Sequence, residues 1–96
     1  MAATIPSATI IENAGSNTLY IVTFPATADD TNTWDSGFGT QVVAFWGQTI
    51  DNPTQTKEGV DIEYSATAGT SPKLGQFTFN LGEDNVAFTL FVLTKN

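Results

Sequence analysis

Residues 60–66, Val60-Asp61-Ile62-Glu63-Tyr64-Ser65-Ala66, alternate apolar and polar side chains without a break. Successive side chains of an extended strand point to opposite faces, so a period of two specifies one dry face and one wet face. Phe77, Phe79 and Leu81 oppose Gln76, Thr78 and Asn80 in the same way. Extended segments are expected over Ala8 to Glu12, Thr18 to Phe24, Thr31 to Asp35, Thr40 to Gln48, Val60 to Thr67, Gly75 to Leu81 and Val86 to Thr94. Most are short, rich in β-branched or aromatic residues and bounded by turn formers. No segment reads as a convincing helix. The chain is therefore expected to be all-β, an antiparallel β-sandwich or flattened barrel of about six to eight strands. Residues 1–7 read as an extended N-terminal arm and residues 8–96 as a single β domain.

Asn13-Ala14-Gly15-Ser16-Asn17 and Gly82-Glu83-Asp84-Asn85 both read as hairpin connections, because Gly and Asn tolerate positive φ and Asp or Asn side chains bond nearby backbone. Val60, Ile62, Phe77, Phe79, Phe88 and Leu90 are assigned to the core. Three segments break the simple pattern. Leu19 and Ile21 oppose Tyr20, Val22 and Phe24, and the stretches Thr40 to Trp46 and Val86 to Leu93 are also apolar on both sides. A sandwich covers only the inner face of each sheet, so these outer faces call for a folded-back loop, a neighbouring subunit or a larger partner. The two-sided strands are expected side by side in one sheet, with the two cleanly alternating strands in the other.

The residue inventory excludes much chemistry. The chain has no His, Cys or Arg, and these types do most proton transfer, thiol chemistry, transition-metal ligation and bidentate phosphate clamping. Ten acidic residues against three lysines give a net charge of −7, which repels nucleic acid and anionic membrane. Without cysteine there is no disulfide framework, so packing must supply the stability, as suits a reducing cytoplasm. Met1 to Ser7 lacks the basic start and apolar stretch of a signal peptide. Asp61 with Glu63, and Glu83 with Asp84, are the candidate acid/base carboxylates, yet one pair lies on a polar strand face and the other in a turn. Asp29 to Asp35 gathers oxygen ligands but lacks the glycine and closing glutamate of a calcium loop, and capping of turn backbone explains it better. Neither enzyme activity, metal nor cofactor is expected.

Large aromatics beside Gly-rich or polar turns often anchor interfaces or stack on sugars. Trp34 and Phe38 are assigned an interface or partly exposed role, whereas Trp46 is assigned to core packing. Ile5 and Pro6 on the arm, with Tyr20 and Phe91 on two-sided strands, complete the candidate partner-binding set.

The order of these segments resembles the small, acidic, cysteine-free β-proteins of tailed-bacteriophage virions, in particular capsid decoration or cement proteins. The resemblance runs from the arm through Leu19-Tyr20-Ile21-Val22-Thr23-Phe24 and Thr33-Trp34-Asp35-Ser36-Gly37 to Val42-Val43-Ala44-Phe45-Trp46. It closes with Phe77-Thr78-Phe79-Asn80-Leu81-Gly82 and Thr89-Leu90-Phe91-Val92-Leu93. It implies a non-enzymatic protein on the capsid exterior, made in the host cytoplasm, that contacts the major capsid protein or another virion protein and stabilises the shell, with a homotrimer as one form. Two other readings stand beside it. A carbohydrate-binding module would use Trp34 and Trp46 as a stacking platform, with Asn32, Asp35 and Gln48 bonding hydroxyls. A tail-fibre or adhesin domain would trimerise by itself.

Overall fold

The computed structural model describes residues 2–26, 31–49, 61–70, 72–81 and 86–96. Among them are eight strands: β1 (Ala2–Ala3), β2 (Ala8–Ala14), β3 (Asn17–Phe24), β4 (Thr31–Asp35), β5 (Val42–Thr49), β6 (Asp61–Tyr64), β7 (Gln76–Asn80) and β8 (Phe88–Lys95). They form two four-stranded sheets, β1-β4-β7-β6 and β2-β3-β8-β5. Every pairing is antiparallel except the short parallel contact of β1 with β4. The architecture is a β-sandwich, and the described residues include no helix.

The two-sided segments lie together as β3, β8 and β5, and the alternating β6 and β7 pair in the opposite sheet. From β3 onward the chain changes sheet at every connection except β6 to β7, so that β3 pairs with β8 and β4 with β7. A long antiparallel ribbon is thus rolled over the core.

Val22 and Phe24 of β3, Phe77 and Phe79 of β7, and Phe88, Leu90 and Val92 of β8 are fully buried, joined by Leu81 and Val86. Alternation therefore chose the inward side of Phe77, Phe79, Phe88 and Leu90 correctly. Ile62 packs partly buried against the same cluster, and Val60 lies outside the described residues. Phe24 stacks on Phe88 at 4.8 Å and meets Phe79 at 5.2 Å. Such ring pairs add to the area term of burial.

Gly15-Ser16 joins β2 to β3 in a two-residue turn closed by Ala14 and Asn17, with Gly15 at φ 72°. Positive φ there suits the twist of a tight hairpin. The second expected hairpin needs correction. Gly82 to Asn85 lies outside the described residues, but the strands it joins, β7 and β8, belong to different sheets and are not paired. Leu81 and Val86 on either side are both buried in the core between the sheets. Turn residues prescribe a reversal without choosing the sheet in which the next strand lands.

Residues 2–7 are tied to both sheets. β1 extends the β4 edge, the N–H of buried Thr4 donates to Thr33 O at 2.8 Å, and that of Ser7 donates to Thr23 O at 2.8 Å.

Candidate functional site

The face of the β2-β3-β8-β5 sheet turned away from the core is built by register. Ile10 pairs with Ile21, Ile21 with Phe91 and Phe91 with Trp46, an apolar row across all four strands. On one side of it runs a second row of Glu12, Leu19, Leu93 and Ala44, and on the other side the polar row of Ala8, Thr23, Thr89 and Gln48. Phe91 and Trp46 stack at 5.1 Å with their planes 8° apart. Ile10 is 53% and Trp46 49% exposed. Among the described residues, Glu12 and Lys95 are the charged ones of this face, whereas the polar face of the other sheet carries Asp35, Asp61 and Glu63. A chain of net charge −7 thus keeps one broad sheet face nearly neutral and apolar.

Trp46 is on this face, not in the core as expected. The register of β5 shifts between Val42 and Ala44. Without that bulge Val42, Ala44 and Trp46 would share a side. With it, Val42 and Phe45 pack toward the core and Trp46 turns outward. The adjacent pair Ile10-Ile11 marks β2 as apolar on both faces. Adjacent isoleucines in one strand must point to opposite faces.

The candidate docking residues divide into three groups. Ile5, which is 80% exposed, and half-buried Pro6 line an open groove of about 390 Å³ with Trp34, Asp35, Lys73 and Gln76. Lys73 Nζ lies 3.9 Å from Asp35 Oδ2, with both side chains well exposed, so this ion pair adds little stability. Tyr20, Trp34 and Phe38 instead form an aromatic cluster against the core. Tyr20 meets Phe38 at 4.8 Å, Phe38 meets Trp34 edge-on at 5.9 Å, and Trp34 stacks on Phe77 at 5.9 Å. Phe91 stands apart from both groups on the outer face.

No family model, no curated protein and no solved structure matches this chain. The site must be interpreted from its own chemistry. Trp34 and Trp46 belong to different sheets, one against the core and the other on an outer face, so they form no common stacking platform. Asn32 is buried rather than offered to a ligand. Among the described residues no three His, Cys, Asp or Glu side chains gather as a metal site. Of the Asp29 to Asp35 run, Thr31–Asp35 is β4, and Asp29 and Asp30 lie outside the described residues.

A polar clamp closes the end of the sandwich beneath Phe38. Tyr64 Oη donates to Gly39 O at 2.6 Å, while the Ser36 N–H and hydroxyl both donate to Gly75 O. Burial pushes the Tyr64 hydroxyl above its ordinary titration range, and the Ser36 hydroxyl offsets this in part. The clamp fixes the loops around the aromatic cluster and leaves the outer face to the strands.

Proposed function

We propose that this protein is a non-enzymatic virion component that docks on the outside of an assembled capsid and stabilises the shell. The carrying observation is the neutral apolar row Ile10, Ile21, Phe91 and Trp46 across one whole sheet face. A row that spans four strands is too extended to be scattered surface apolarity, and such patches mark contact surfaces. Covering it releases about 25 cal/mol per Å² of apolar surface. A rigid sheet presents it without a further ordering cost. A β-sandwich hosts many unrelated functions, so the fold alone does not choose between the capsid and carbohydrate readings. The surface favours the capsid. One face of the Trp46 ring is already taken by Phe91, and the second tryptophan lies elsewhere.

The test is attachment to phage capsids assembled without this protein. Trp46→Lys and Phe91→Ser variants, verified as folded, are expected to lose attachment, while the native protein stays bound and moderate salt changes little. If both variants bind like the native chain, or the native chain never cosediments with capsids, the proposal fails. Retention on a glycan column abolished by Trp46→Lys would favour the carbohydrate reading.

A further inference from the structure

We propose that β2 is a self-pairing edge, and that two copies of this chain join β2 to β2 in antiparallel register to make one continuous eight-stranded sheet.

β2 lies at the end of its sheet, and all seven of its residues are exposed. Native edges are usually blunted by shortness, several charges, proline or a bulge. Within β2 there is no proline, the register to β3 is unbroken, and Glu12 is the single charge. Ala14 and Asn17 close the two-residue turn and so exchange hydrogen bonds, after which alternate pairs do the same. Ala8, Ile10, Glu12 and Ala14 therefore bond to β3. Thr9, Ile11 and Asn13 direct their N–H and C=O groups away from it.

That spacing is self-complementary. A two-fold axis through Ile11 sets Ile11 against Ile11 of the second copy, Thr9 against Asn13, and Asn13 against Thr9, forming about six backbone hydrogen bonds. Side chains agree with this register. Ile11 pairs with inward-facing Tyr20, so it points to the core side of its sheet, yet it is 63% exposed and is not among the residues packed against the core. Ile11 of the second copy covers it. Glu12 falls opposite Ile10 of the second copy and not opposite Glu12, so two chains of charge −7 meet without facing like charges. On the outer face the Ile10 row of each copy then runs into the Glu12, Leu19, Leu93 and Ala44 row of the other, though the pairing does not depend on what that face binds.

Sedimentation equilibrium and amide exchange on the isolated full chain test this. The expected mass rises from one chain to two with concentration. The amides of Thr9, Ile11 and Asn13 slow by about tenfold or more in parallel. Ile11→Lys, at an exposed site, should remain folded yet stay one chain with those three amides fast, whereas Ile11→Val should still pair. A single-chain mass at every concentration, a trimer, or a dimer whose three amides exchange freely overturns the proposal. A monomer that still attaches to capsids would overturn this pairing alone, and a β2-paired dimer that ignores capsids would overturn only the docking role.

Discussion

Phe79 and Tyr64 show how unevenly single residues declare their roles. Phe79 alternates with Thr78 and Asn80, and it is fully buried among Phe24, Phe77 and Phe88. Phe79→Ala is expected to cost about 3–5 kcal/mol, measured as a fall in urea stability. That is a large part of what holds a domain of this size together. Tyr64 was legible only as an apolar position on an alternating strand, because its acceptor, Gly39 O, is 25 residues away. Burial raises its titration above the usual value of 10, so the folded state holds the phenolic proton more tightly than the unfolded state. The resulting stability is complete below pH 10 and is lost as pH climbs through the raised folded value. Tyr64→Phe should cost about 0.5–1.5 kcal/mol at neutral pH and flatten the alkaline decline in melting temperature.

Among the elements, the N-terminal residues and the loop around Gly75 carry constraints that pattern did not reveal. Ala2 and Ala3 extend the β4 edge, and the N–H groups of Thr4 and Ser7 bond to opposite sheets. Removing Met1 to Ser7 is expected to leave the β-rich spectrum in place but lower the denaturation midpoint, which a urea titration reads. Gly75 is buried at φ 88°, and a Cβ there would sit 3.3 Å from Gly37 N. Gly75→Ala should cost about 1–2 kcal/mol from the left-handed backbone alone. The same substitution at Gly15, where nothing lies within 4 Å, adds no such crowding. β4 was placed over Thr31 to Asp35 from its turn-bounded, β-branched run, whereas the bulge in β5 left no signature in Val42-Val43-Ala44-Phe45-Trp46.

For the whole molecule, the distribution of charge matters more than its sum. Among the described residues Asp35, Asp61 and Glu63 lie on the polar face of one sheet, and the outer face of the other carries the charges of Glu12 and Lys95 alone, so a partner there meets a low-charge surface. The oxygen-rich run toward Asp35 ends in a strand, where neighbouring side chains point to opposite faces and do not converge on one ion. Millimolar calcium should therefore leave the melting temperature unchanged. A rise reversed by chelator and by Asp30→Ala would show a site.

Alternation and turn residues by themselves determined the all-β class, most strand positions and the inward side of Phe77, Phe79, Phe88 and Leu90, because side-chain direction along a strand is local geometry. The two-sided composition of β3, β5 and β8 also marked the sheet that carries the apolar outer face. Tertiary structure alone decided that β7 and β8 part into different sheets, that Trp46 turns outward, and that Tyr20, Trp34 and Phe38 close over the core instead of standing free. Those outcomes depend on which strand pairs with which and on a register shift, and both are settled by packing between residues distant in the chain.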